Sequence, residues 1–177
     1  MNRSPSQTRF DPMERPSFQT LLQGLPVLGR SGDWTAKITG LVTDSRRILP
    51  GSLFFALPGL RSDGHEYLDD VIARGAAAVI SARPVTGLPA VAAAQVADPR
   101  KVLAEVARRF HGHPETALQL VGVTGTNGKT TVTSLLRHLL QTDGSQWGLV
   151  GTVRYHLGRR SIPSYKTTPE SADLAAF

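Results

Sequence analysis

One run of seven residues constrains this chain more than any other feature: Gly125-Thr126-Asn127-Gly128-Lys129-Thr130-Thr131. It lies between an apolar segment, residues 118–123, and a segment, residues 129–142, with Val132, Leu135, Leu136, Leu139 and Leu140 at helical spacing. That order predicts strand, tight turn, helix. Consecutive backbone N–H groups of a glycine-rich turn form a concave anion site, and the helix that follows adds its dipole and unpaired first amides. Lys129 is placed to reach the outer phosphates of a nucleoside triphosphate, and the Thr130 hydroxyl to ligate Mg²⁺. The run departs from the standard phosphate-loop pattern at one point. A glycine is expected five residues before the Gly-Lys pair, and that position is Val123, flanked by Gly122 and Gly125.

At 177 residues the chain has room for one domain, or one and part of another. Ser17 is suited to cap a short helix through Phe18, Leu21 and Leu22, ended by Gly24 and Pro26. Residues 38–43 and 53–57 read as strands separated by a turn at Pro50-Gly51. Tyr67, Leu68, Val71 and Ile72 mark a helix over 65–74, closed by Gly75. Residues 76–81 and 91–97 are short apolar runs that fit buried strands, and Pro99 opens a helix whose inner face is Val102, Leu103, Val106 and Phe110. Strand and helix alternate, so the fold class is α/β.

His111-Gly112-His113-Pro114 breaks the periodicity and marks a linker, 112–117. No third metal-ligating residue stands beside the two histidines. Beyond the phosphate turn, residues 146–152 read as a strand and 153–162 as a hairpin around Gly158. Thr168-Pro169-Glu170 reads as a helix cap, a first-turn proline and an acid at the positive helix end.

The absence of cysteine excludes disulfides, thiolate metal sites and a cysteine nucleophile. No stretch approaches a membrane span, and residues 1–16 read as a flexible leader without the apolar core of a secretory signal. A soluble, cytoplasmic protein is expected. The net charge of +6 comes without a basic run and with only 6% aromatic residues, so nucleic acid is not the expected partner.

The run 125–131 resembles the ATP loop of the Mur ligases, the amide-forming enzymes of peptidoglycan precursor synthesis. Three further segments agree in order and spacing with the family branch that adds the third peptide residue. Thr43-Asp44-Ser45-Arg46, with Pro50-Gly51-Ser52-Leu53-Phe54-Phe55-Ala56, is similar to its first domain. The loop 59–64 with His65 is similar to its next loop, and Thr167-Thr168-Pro169-Glu170-Ser171 to its segment beyond the ATP loop.

The resemblance implies a UDP-muramoyl-binding N-terminal domain over 17–111, followed at 118–177 by the beginning of a P-loop-type, parallel-sheet ATPase domain. It implies that Gly125, Thr126, Asn127, Gly128, Lys129, Thr130 and Thr131 bind ATP, with Lys129 catalytic and Thr130 on Mg²⁺. Thr43 and Ser45 would meet the uridine nucleotide, Arg61 is chemically suited to its diphosphate, and Thr167 and Thr168 would meet the muramoyl-dipeptide. Lys166 stands where the family often has Asn. The implied substrates are ATP, UDP-N-acetylmuramoyl-dipeptide and a diamino acid such as diaminopimelate or lysine, joined through an acyl phosphate by a monomer. A chain of this length is expected to be inactive alone, with residues 119–177 less stable than 17–111. Two other readings stay open: a ligase of the folylpolyglutamate synthetase type on the same scaffold, and a non-catalytic nucleotide or sugar-nucleotide binding module.

Overall fold

The computed structural model describes residues 15–59, 63–84, 91–141 and 145–177. The chain divides into two compact units, the first ending at Thr116 and the second starting at Ala117. Most of the expected leader, residues 1–14, lies outside the described residues.

The first unit opens with helix α1, Phe18–Leu22. As its sequence requires, Ser17 caps it: Ser17 Oγ accepts from the Thr20 amide at 3.2 Å. A five-stranded sheet follows, built from β1 (Gly29–Ser31), β2 (Gly40–Val42), β3 (Ser52–Ala56), β4 (Ala78–Ser81) and β5 (Ala92–Gln95) in the order β1-β5-β4-β3-β2. Strands β2 to β5 run parallel, and β1 adds an antiparallel edge. Residues 29–31 carry no period-two signal, and β1 forms only because β5 offers it a partner. Strand β2 is three residues shorter than expected. Its chain leaves the sheet into a 3-10 turn, Ser45–Arg47, capped by Asp44.

Residues 65–74 divide into a 3-10 turn, Gly64–Tyr67, and helix α2, Leu68–Ala73, rather than one helix. Asp63 caps the first of these, and that local capping bond competes with α-helix in its first turn. Helix α3, Pro99–Phe110, has Asp98 as N-cap. It ends where the His113 amide bonds the Arg108 carbonyl and the Gly112 amide bonds Arg109, with Gly112 at φ 72, a Schellman closure.

Side chains alternate across β3 and β4. Phe54, Ala56 and Val79 join Ile48, Val71, Ala76 and Val91 in a core beneath α2. Leu53, Phe55 and Ile80, also buried, take the opposite face, where α1 packs on α3 and α3 on β3. A parallel sheet buried on both faces explains why β3 and β4 read as continuous apolar runs. The α/β class is as expected.

The second unit differs from expectation. Residues 118–123 form no strand, and Leu118, Leu120 and Val121 are exposed. The described strands there, β6 (Leu149–Val150), β7 (Arg154–Leu157) and β8 (Arg160–Pro163), pair antiparallel with one another and offer no neighbour to 118–123. The hairpin about Gly158 is present. Helix α4, Lys129–Leu140, starts where expected; Thr142 is outside the described residues. The last helix, α5, is Ser171–Ala176, with Glu170 rather than Thr168 as N-cap.

Candidate functional site

The turn 125–128 is a left-handed excursion followed by a helix. Gly125 has φ 146 and Gly128 φ 77, conformations that glycine enters at little cost. Gly128 is the N-cap of α4 and brings no side chain to the helix end. The first bond of the helix runs from the Val132 amide to the Gly128 carbonyl at 2.9 Å, so the amides of Lys129, Thr130 and Thr131 precede the helical ladder. A glycine cradle, first-turn amides outside the helical ladder, one ammonium and two threonine hydroxyls form a donor set that fits a polyphosphate. Lys129 Nζ folds over this turn, 2.5 Å from the Gly125 carbonyl oxygen and 3.4 Å from that of Thr126. Thr126, Asn127, Thr130 and Thr131 are exposed. Thr130 is the residue here that would hold Mg²⁺ through its hydroxyl; among the described residues no group of three His, Asp or Glu is disposed for a metal.

In the first unit, the carboxyl ends of β2 to β5 share one edge of the sheet, where ligands of open α/β sheets bind. Thr43 leaves β2 at that edge and Ser45 opens the 3-10 turn beside it. The two hydroxyls therefore do not share one strand face, because Ser45 is in the turn and not on a strand. Asp44 and Arg46 pair across this turn. Arg46 Nε and Nη2 donate to Asp44 Oδ1 and Oδ2 at 2.9 and 2.7 Å, and the Arg46 amide donates to Oδ1 at 3.1 Å. These bonds, the guanidinium first, hold the Asp44 carboxyl below the usual carboxylate range. Arg61 lies outside the described residues.

Sequence reading missed a second polar cluster on the same edge. Asp63 Oδ1 accepts from the His65 amide at 3.0 Å and lies 2.6 Å from His65 Nδ1, while Oδ2 pairs with Arg83. The His65 amide, then its ring, hold the Asp63 carboxyl low. His65 Nε2 meets Ser81 Oγ at 2.5 Å, and Ser81, fully buried at the end of β4, donates to the Arg83 carbonyl at 2.8 Å. The Asp-x-His capping signal is local and legible. The partner Ser81, sixteen residues on, is not.

Thr167 and Thr168 are exposed just before α5. The segment is anchored one residue earlier: the buried Tyr155 hydroxyl donates to the Lys166 carbonyl and accepts the Lys166 amide at 3.0 Å. Lys166 Nζ lies 3.6 Å from Glu170 Oε1.

Residues 37–111 match the Mur ligase family, catalytic domain, and residues 123–177 match the Mur ligase middle domain. The chain belongs to the Mur ligase family. Among curated Mur ligases, the UDP-N-acetylmuramoyl-L-alanyl-D-glutamate--2,6-diaminopimelate ligase of Geobacillus kaustophilus (strain HTA426) is 44% identical over 156 residues, 88% of this chain and 31% of the relative. The enzyme of the same name from Solibacter usitatus (strain Ellin6076) is 47% identical over 138 residues, 78% of this chain and 28% of the relative. This chain thus spans less than a third of the length of either. A solved structure of a ligase of that name covers 92% of this chain, which covers 32% of it, at TM-score 0.67 and 23% identity. That likeness is one of Mur ligase fold. Among the described residues no helix is long and apolar enough to cross a membrane.

Proposed function

We propose that this chain supplies the sugar-nucleotide and ATP-phosphate grips of an ATP-dependent ligase that adds diaminopimelate to UDP-N-acetylmuramoyl-L-alanyl-D-glutamate. The observation that carries the reading is the glycine turn 125–128, with Lys129 folded over it at the start of α4. The relatives' names support the third-residue reaction and the choice of diamino acid. Thr43 and Ser45 meet the uridine nucleotide at the sheet edge, and Thr167 and Thr168 meet the muramoyl-dipeptide; Arg61 is suited to the diphosphate by its chemistry alone.

In this reading the terminal carboxylate of the dipeptide attacks the γ-phosphorus of ATP. The new C–O–P link forms as the β–γ bridge breaks, giving an acyl phosphate and ADP. The incoming amine then attacks the carbonyl carbon and loses a proton, and inorganic phosphate leaves. The obstacle is repulsion between a carboxylate and a phosphate of like sign. Lys129 and the amides of residues 125–131 offset it by lying where negative charge accumulates. Mg²⁺, held in part by Thr130, supplies further charge neutralisation when bound. The reaction belongs in the cytoplasm, where its nucleotide substrates are made.

Titration calorimetry of the 177-residue chain tests this. UDP-N-acetylmuramoyl-L-alanyl-D-glutamate and a non-hydrolysable ATP analogue with Mg²⁺ should each bind. Binding of a folate in place of the UDP sugar would support a folylpolyglutamate-type ligase, and binding of neither nucleotide would sink the assignment.

A further inference from the structure

Arg74 follows α2 and reaches back to the turn that carries Ser45. Its Nη1 donates to the Ser45 carbonyl at 2.9 Å and its Nη2 to the Arg46 carbonyl at 3.0 Å. One planar guanidinium therefore holds two successive carbonyls of the 3-10 turn Ser45–Arg47, and the Ser45 carbonyl also accepts the Ile48 amide at 3.4 Å. Asp44 holds the amide side of the same turn through the Arg46 N–H. The turn is thus clamped from both ends, by a local carboxylate and by a guanidinium 29 residues on.

The aim of Arg74 is itself fixed. Its amide bonds the Asp70 carbonyl at 3.0 Å, and Asp70 Oδ2 lies 3.6 Å from Nη1. Gly75 follows at φ +91, and its carbonyl accepts the Gly51 amide at 2.8 Å. A Cβ at Gly75 would stand 3.3 Å from Pro50 Cα. The end of α2 is therefore pressed against the chain that leads from the turn into β3.

We propose that Arg74 is a positioning residue for the sugar-nucleotide site, acting through Ser45 by fixing the backbone of residues 45–47. This rests on the assignment of Thr43 and Ser45 to the uridine nucleotide. The arrangement uses the forked geometry of a guanidinium: two donors at fixed spacing meet two carbonyls. A lysine would keep the charge and lose the fork. Arg74 is exposed, so its replacement leaves the core of the first unit intact.

Binding of UDP to the whole chain, measured by calorimetry, should weaken roughly tenfold in both Arg74→Lys and Arg74→Gln. Binding of an ATP analogue should stay unchanged, and the melting temperature should move little. In NMR spectra the amides of residues 45–48 should shift and exchange faster in both variants, with or without ligand. Retained affinity in Arg74→Lys beside loss in Arg74→Gln would mean that charge near the diphosphate is what matters, and would overturn the positioning role. So would wild-type affinity in both variants, or undisturbed 45–48 amides. Failure of the unaltered chain to bind UDP would instead remove the functional reading on which the inference stands.

Discussion

Lys129 Nζ sits 2.5 Å from the carbonyl oxygen of Gly125, four residues before it in the chain. The ammonium is thus held by carbonyls of its own turn, with the Thr126 oxygen at 3.4 Å. Lys129→Ala should abolish ATP-analogue binding by this chain while changing its stability by less than about 0.5 kcal/mol. On the proposed function, the loss of one preorganised donor should raise the barrier to ATP-dependent ligation by about 3–4 kcal/mol. Calorimetry paired with thermal melts checks the first part, and unaltered analogue binding would remove Lys129 from the site.

Two glycines of the first unit share a backbone conformation and differ in their surroundings. A Cβ at Gly112, φ +72, would meet nothing within 4 Å, whereas one at Gly32, φ +70, would lie 2.3 Å from the Val91 carbonyl oxygen. Gly112→Ala should therefore cost only the conformational term, about 1 kcal/mol. Gly32→Ala must also push the β1–β5 edge apart and should cost clearly more. Denaturant melts of the two variants measure the difference; equal midpoints would contradict it.

Asp44 and Asp63 both have carboxyls held below the ordinary range, by the Arg46 side chain and the His65 amide respectively. A depressed folded-state value means that their contribution is complete above the unfolded value, about 3.9. It is lost as pH falls through the folded values. The Arg46 amide signal, which reports Asp44, should hold steady down to about pH 4 and move only below it. A midpoint at or above about pH 4.5 in an NMR titration would refute this.

Tyr155→Phe removes one hydroxyl and keeps the ring that packs on Tyr165 and Phe177. With Lys166 exposed and open to water, the loss should be about 0.5–1.5 kcal/mol. Faster exchange of the Lys166 amide in the variant would show the anchor gone; unchanged exchange would show that it was never held there.

Among the described residues Tyr155 is the one buried large hydrophobic side chain of the second unit, and Val132, Leu135 and Leu139 of α4 are exposed. Hydrogen exchange should therefore show strong protection in β3, β4 and α3 and weak protection throughout 117–177. Uniform high protection would contradict it.

Local rules were legible wherever one element carries its own signal. Ser17 caps α1, Pro99 opens α3, Gly112 closes it, and Gly128 with Lys129 opens α4. The apolar run at 118–123 misled, because alternation and burial describe a strand only when another strand accepts its hydrogen bonds. Thr168-Pro169 also looked like a helix start, yet α5 begins at Ser171, after the Tyr155 anchor has already fixed Lys166.

By itself the sequence determined the glycine turn before α4, since glycine dihedrals and a helix terminus are properties of adjacent residues. It also determined the α/β class, since period and punctuation are local. Only the tertiary structure decided how Ser45 is presented, because Arg74 reaches it across 29 positions, and how Asp63 and His65 meet Ser81. Such contacts depend on which strand ends the sheet order brings together, and no spacing along the chain encodes that.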